Sequence, residues 1–242
     1  PALYDLTTLQ REANRQLGYT AQQTLDYVQS LYEKKLCTYP RTDSRYLTDD
    51  MADSVKAMVI CSAGICGGAE PASVKASQVC NSKKVSDHHA IIPTMVAGET
   101  DLKTLPAGER EILSMIAKQV LRAVSEAYRF RETTAEIICG STAFTANGKT
   151  ITNVGWKAYN EKEQTYKVLP ELHNGDELTV AGSEIKEGTT KPPAHFTEDS
   201  LLSAMEVAGA KDMPEDAERK GLGTPATRAG IIEKLIATGF VE

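Results

Sequence analysis

Leu36-Cys37-Thr38-Tyr39-Pro40-Arg41-Thr42-Asp43-Ser44-Arg45-Tyr46-Leu47 is the stretch on which the reading of this chain turns. Pro40 disfavours helix at the residue before it, so Tyr39 is expected in extended backbone just after a helix. A phenol has a pKa of about 10, so at neutral pH it is protonated and a poor nucleophile. A guanidinium two residues away changes that, because it steadies the phenolate and holds the phosphate that the phenolate attacks. Arg41 has that position, with Thr42, Asp43 and Ser44 offering hydrogen bonds around it. Between 34 and 48 the cations Lys34, Lys35, Arg41 and Arg45 face one carboxylate, Asp43, a local +3 in a chain of net charge −6. Such an excess attracts phosphate. The plainer alternative is a Tyr-Pro packed at a helix exit.

Working outward, Asp5 to Leu17 reads as a helix, with Thr7 or Thr8 as N-cap and Gly18 as its stop. A second helix begins at Thr20, where Thr20 and Gln23 form a capping box. It sets Leu25, Val28, Leu31 and Tyr32 in one buried stripe and ends near Lys35. A third starts at Thr48, with Asp49 and Asp50 well placed in its first turn, and runs to about Ile60. Residues 62–86 are rich in Gly, Ala and Ser and read as loop with room for one short helix. Ser86-Asp87-His88-His89-Ala90-Ile91-Ile92-Pro93-Thr94 follows. Imidazole is the side chain best suited to donate to a phosphate or carry a proton near neutral pH, although His pairs in loops also serve as metal ligands or surface residues. From Pro106 to Tyr128 a long helix carries Ile112, Leu113, Ile116, Val120, Leu121 and Val124 on one core-facing side.

The texture then changes to strands. Thr133 to Cys139 precedes a hairpin signal, Asn147-Gly148, between Ala143-Phe144-Thr145 and Thr150-Ile151-Thr152. Trp156 either stacks a base or packs in a core or hinge. A last strand is expected over Glu177 to Ala181. Lys191-Pro192-Pro193 marks a boundary, since a double proline continues neither regular element. Thr197 then caps a helix through Val207. A charged loop, Lys211 to Lys220, leads to Gly221-Leu222-Gly223-Thr224-Pro225-Ala226-Thr227-Arg228, where Thr224 is N-cap and Pro225 N1 of a final helix that Gly239 stops. Its free N–H groups, positive dipole end, Thr227 and Arg228 make a ready anion site, or simply a well-capped helix.

Tyr39 to Leu47 closely resembles the active-site segment of type IA DNA topoisomerases, specifically the topoisomerase III branch. Three more stretches are similar to that family in the same order: Asp5 to Asn14, the His-x-Ala-Ile-x-Pro pattern at His88, and Gly-x-Gly-x-Pro-x-Thr after Phe196-Thr197-Glu198. The resemblance implies that Tyr39 forms a 5′-phosphotyrosyl link to single-stranded DNA and that Arg41 and His88 stabilise the phosphate. It assigns Thr8, Gln10, Asp43, Ser44, Arg45, Thr224, Thr227 and Arg228 to DNA contacts. On a plain reading Thr8 and Gln10 are cap and surface residues. The implied reaction is transesterification without ATP, with strand passage and decatenation, in a nucleoid-associated cytoplasmic monomer. It also implies a Mg2+-holding acidic N-terminal TOPRIM domain, for which no Asp-x-Asp pair is found. The expectation is therefore a fragment with the nucleophile, no metal or cofactor of its own, and no relaxation activity alone.

The implied fold class is α+β: a helical tyrosine domain (1–128), a β-rich hinge or arch (129–190) and the start of a helical, winged-helix-like groove domain (191–242). Composition is ordinary for a globular protein, 41% hydrophobic and 25% charged over 242 residues. No apolar run approaches the roughly 20 residues a membrane helix needs. The five cysteines lack paired C-x-x-C spacing, which argues against structural zinc and for reduced thiols. An acidic balance argues against indiscriminate duplex binding but permits a narrow single-strand groove. Two other classes remain: a noncatalytic single-stranded nucleic-acid-binding module with Tyr39 as a stacking platform, and a helical scaffold for protein partners. Tyrosine recombinases would need a dispersed Arg-His-Arg set that is absent.

Overall fold

The computed structural model describes residues 1–160, 165–209 and 221–241; the charged loop expected over Lys211 to Lys220 lies outside them. The chain is α+β and divides into two compact units, Pro1–Glu126 with Phe196–Glu242, and Ala127–His195.

In the first unit α1 spans Leu6–Leu17 and α2 spans Ala21–Glu33. The cap of α1 is Asp5 rather than Thr7 or Thr8: its backbone is extended and its carboxylate accepts from the Thr8 N–H at 2.6 Å. Gly18, left-handed at φ 74°, ends the helix. The Thr20–Gln23 capping box forms as expected. Leu25, Val28 and Leu31 are buried, but Tyr32 is 39% exposed and stands off the stripe. After Glu33 the chain turns through Lys35, a non-glycine residue at φ 61°. The Leu36 N–H reaches back to the Leu31 carbonyl at 2.8 Å, a Schellman-type closure that sends the next residues back past the helix end.

The third helix begins later and ends later than expected. Thr48 leads into a 3₁₀ stretch, Asp49–Ser54, and α3 spans Val55–Cys66. The expected loop from 62 is helical to Cys66 and then holds two 3₁₀ turns, Ala76–Gln78 and Ser82–Lys84. A short α4, Met95–Glu99, precedes α5, Ala107–Val124, whose six expected apolar residues are all buried. These helices share one core, in which Leu6, Leu9, Leu31, Ile112 and Ile116 are sealed from solvent.

Residues 196–209 and 221–241 return to the start of the chain. Thr197 caps α6, Glu198–Val207, and Thr224 caps α7, Pro225–Ala237, with Pro225 in its first turn and Gly239 left-handed beyond it. Leu202, Met205, Ala229 and Ile232 join the common core. Asp199 accepts from Arg11 Nε at 3.0 Å and Arg15 Nη2 at 2.8 Å, and Glu198 accepts from the Ala21 N–H at the head of α2. Burying Leu202 or Met205 is worth about 1.5–3 kcal/mol each, against about 0–1 kcal/mol for a partly exposed ion pair. Apolar burial therefore holds α6 down, and Asp199 fixes its register.

The second unit is built on an antiparallel hairpin, β1 Arg129–Cys139 and β2 Thr142–Asn153. The turn lies at Gly140-Ser141, with Gly140 at φ 59°, and not at Asn147-Gly148. Asn147 and Gly148 sit inside β2, opposite Thr134 and Thr133. Gly148 is needed for close approach: a Cβ there would come within 2.8 Å of the Leu169 backbone nitrogen. Lys149 Nζ lies 3.5 Å from the Phe130 ring centroid and 4.8 Å from that of Tyr166. Trp156 is half-buried in a 3₁₀ turn, Gly155–Tyr159. Glu177 to Ala181, expected as a strand, is irregular and exposed, with no neighbouring strand among the described residues to pair with.

Candidate functional site

Tyr39 is placed by a zipper of short backbone pairings. Thr38 N–H bonds the Ile92 carbonyl at 3.0 Å, its Oγ1 donates to the Ala90 carbonyl at 3.2 Å, and Cys37 pairs with Pro93. Further on, Thr42 Oγ1 donates to the His88 carbonyl at 2.8 Å, and the Ala90 N–H bonds the Tyr46 carbonyl at 2.9 Å. Over 37–42 the tyrosine motif thus runs antiparallel to the histidine motif, and the two rings meet: Tyr39 and His88 centroids are 4.3 Å apart at 41°. Tyr39 is half-buried and its hydroxyl bonds none of the described residues. Cys37, two residues earlier, is core; burial pushes its thiol up to about 12, so it is no competing nucleophile.

Beside His88 lies a cleft of about 520 Å³, whose lining does not include Tyr39. Arg41, Asp43 and His88 line it from the two zipped motifs, and Thr224 and Arg228 line it from the head of α7. Arg41 is exposed, and Asp43 accepts from Ser86 Oγ at 2.8 Å. Arg228 is 4% exposed and spreads its guanidinium over the Leu222 carbonyl (3.0 Å), Thr7 Oγ1 (3.0 Å) and the Gly223 carbonyl (3.3 Å). Its chief task is to fasten α7 to α1 while presenting part of its surface to the cleft.

The remaining expected contacts are distributed differently. Gln10 is fully buried and donates to the Ala21 carbonyl at 3.0 Å, so its amide serves the α1–α2 junction. Ser44 is buried and donates to the Lys84 carbonyl at 2.9 Å. Arg45 is exposed, with Nε on the Leu3 carbonyl at 3.3 Å. Thr8 is half-buried in α1, and Thr227 Oγ1 closes the α7 capping box on the Thr224 N–H at 2.9 Å. None of these five lines the cleft.

The local +3 is also reduced in three dimensions. Lys34 is drawn to the buried carboxylate of Glu109 at 2.5 Å, away from Tyr39. The cleft contains Asp5, Asp43, Asp87 and Glu206 against Arg41, His88 and Arg228. Burial raises Asp5 above the ordinary carboxylate range despite the Thr8 hydrogen bond. Glu206 is raised first by burial and then by the charge of Asp5. An anion entering this cleft meets Arg41, Arg228 and His88, but also Asp43 and Asp87 beside the two carboxyls whose charge burial disfavours.

A family model described as DNA topoisomerase matches residues 1–242. The chain belongs to the DNA topoisomerase family. It is a topoisomerase III-like chain of the type IA class. DNA topoisomerase 3 of Bacillus licheniformis is 41% identical over 263 residues, covering 100% of this chain and 36% of that protein. DNA topoisomerase 3 of Bacillus subtilis is 40% identical over 271 residues with the same coverage. The solved full-length topoisomerase I of Thermotoga maritima shares the fold, with a TM-score of 0.70 at 23% identity, over 100% of this chain and 39% of that one. This topoisomerase-family chain thus spans 36% of the length of the curated relatives it matches.

Sequence reasoning missed Asp5, Thr7 and Glu206 as cleft residues. Asp5 and Thr7 open the very stretch that carries one of the four motifs, so their position was within reach. Glu206 gave no signal, because its place in the cleft depends on the return of α6. No group of three or more His, Cys, Asp or Glu among the described residues could hold a metal ion.

Proposed function

We propose that this chain supplies the nucleophile of a type IA topoisomerase active site. Tyr39 Oη attacks a backbone phosphate of single-stranded DNA. The new O–P bond forms as the bond to the 3′ oxygen breaks; the phenol proton passes to water, and the 3′ oxygen takes one up. The energy of the backbone bond is kept in the 5′-phosphotyrosyl link, so religation needs no ATP. Arg41 and His88 stabilise charge on the phosphoryl oxygens. The observation that carries this reading is the Tyr39–His88 ring contact beside a cleft that Arg41 and Arg228 line.

In this reading Asp43 and Thr224 touch the strand directly. Thr8, Gln10, Ser44, Arg45 and Thr227 act by shaping its path. The second unit serves as the hinge of the opening gate, within the domain division 1–128, 129–190 and 191–242. Mg2+ belongs to the acidic domain of the whole enzyme, in the part of the relatives that this chain does not span. The whole enzyme would act as a monomer on single-stranded regions of nucleoid DNA in the cytoplasm and decatenate as well as relax. No helix among the described residues is long and apolar enough to cross a membrane.

The test mixes this chain with end-labelled single-stranded oligonucleotide and Mg2+, with and without the separately made acidic domain, and traps adducts with denaturant. A covalent adduct that needs both pieces and is lost in Tyr39→Phe is expected. An adduct that persists in Tyr39→Phe overturns the proposal, and plasmid relaxation by this chain alone overturns its need for the acidic domain.

A further inference from the structure

We propose that Tyr32 is a positioning residue that sets the ring of Tyr39, an inference that rests on reading Tyr39 as the nucleophile. Tyr32 belongs by helical spacing to the buried stripe of Leu25, Val28 and Leu31, yet it is 39% exposed at the last turn of α2. Its ring meets that of Tyr39 at 5.5 Å between centroids and 81° between planes, an edge-to-face pair. The Tyr32 hydroxyl bonds none of the described residues, so the ring contact is what occupies this side chain.

Six residues lie between the two tyrosines, and the left-handed turn at Lys35 closes the gap between them. Backbone freedom around Tyr39 is small: Thr38 is bonded through both its N–H and its hydroxyl, and Pro40 is buried with φ fixed by its ring. What remains is rotation of the Tyr39 side chain. Among the described residues Tyr32 and His88 are the aromatic neighbours that confine it. His88 lines the cleft and would be drawn to an arriving phosphate; Tyr32 lies outside the cleft lining and does not compete for the substrate. A nucleophile must be held near its line of attack before reaction, and misplacement by about 1 Å can cost on the order of a hundredfold in rate. Tyr32 supplies that restraint through the ring alone.

The experiment compares Tyr32→Ala, Tyr32→Leu and Tyr32→Phe in single-turnover adduct formation by this chain assembled with the acidic domain. It also reads oligonucleotide affinity and, in the isolated chain with labelled tyrosine and histidine, the NMR cross-relaxation between the Tyr39 and His88 rings. Tyr32→Ala and Tyr32→Leu should slow adduct formation about ten- to a hundredfold, with affinity and helix content unchanged and the cross-relaxation weakened. Tyr32→Phe should restore all three readouts. Wild-type rates in Tyr32→Ala and Tyr32→Leu, or a Tyr32→Phe as slow as they are, overturn the inference. Should Tyr39→Phe still form an adduct, the nucleophile reading fails instead. The ring cross-relaxation then still decides whether Tyr32 sets the position of Tyr39: if it is unchanged in Tyr32→Ala and Tyr32→Leu, the inference falls as well.

Discussion

Thr42 Oγ1 donates to the His88 carbonyl at 2.8 Å and accepts from the Ser44 N–H at 3.1 Å, so one buried hydroxyl ties the tyrosine motif to the histidine motif. Thr42→Val keeps the shape and removes both bonds, leaving the buried Ser44 N–H unpaired at about 1–3 kcal/mol. Thr42→Ser should stay close to wild type. Denaturant unfolding measures the stability, and adduct formation should fall in Thr42→Val as His88 loses its anchor. Equal behaviour of the two variants would refute this role.

Gly221 is left-handed at φ 64°, and a Cβ there would lie 2.1 Å from the Met205 carbonyl oxygen. Neither backbone can yield, because the Leu222 N–H is bonded to that same oxygen at 2.7 Å. Gly221→Ala should therefore cost about 2–3 kcal/mol. It should also displace Thr224 and Arg228, weakening oligonucleotide binding measured by anisotropy at fixed salt.

Asp199 titrates below the ordinary carboxylate range: burial raises it, but hydrogen bonds and charge from Arg15 and Arg11 overrule that. A depressed folded pKa contributes stability that is present above the unfolded value and vanishes as pH falls through the folded one. Asp199→Asn should lose about 1 kcal/mol at pH 7, and the difference from wild type should close as the pH drops below the usual aspartate range. Far-UV circular dichroism reads this correctly, since the α-helices lie in the first unit. The fluorescence of Trp156 reports only the second.

Lys35 at φ 61° carries the strain of a left-handed non-glycine. Lys35→Gly should stabilise the chain by about 0.5 kcal/mol, the relief of strain exceeding the added freedom of the unfolded state. Lys35→Val should destabilise it, and thermal unfolding of the pair orders them.

The helices were legible because their signals are local: Thr20 with Gln23, Thr197, Thr224 with Pro225, and the apolar face of 112–124 all depend on residues within a turn or two. The hairpin turn was misread because Gly148 resembles turn glycine, whereas it is small to admit Leu169, a contact no local pattern encodes. The motifs singled out Tyr39, Arg41 and His88, and the structure brings Tyr39 against His88 and sets Arg41 and His88 in one cleft. Their surroundings were not legible, since Lys34 is diverted to Glu109 and Asp5 meets Glu206 only through the return of α6. Charge counted along the chain overstated the positive character of a site built by distant segments.

The bond from Arg228 to Thr7 spans 221 residues of sequence, and those from Arg11 and Arg15 to Asp199 span 188 and 184. In a polypeptide made from its N-terminus at about 5–20 residues per second, Thr7 waits on the order of ten to forty seconds for its partner. Through that interval the side of α1 that Leu202 and Met205 will cover has no lid. The ribosome's pace therefore sets how long that apolar side of α1 stays uncovered.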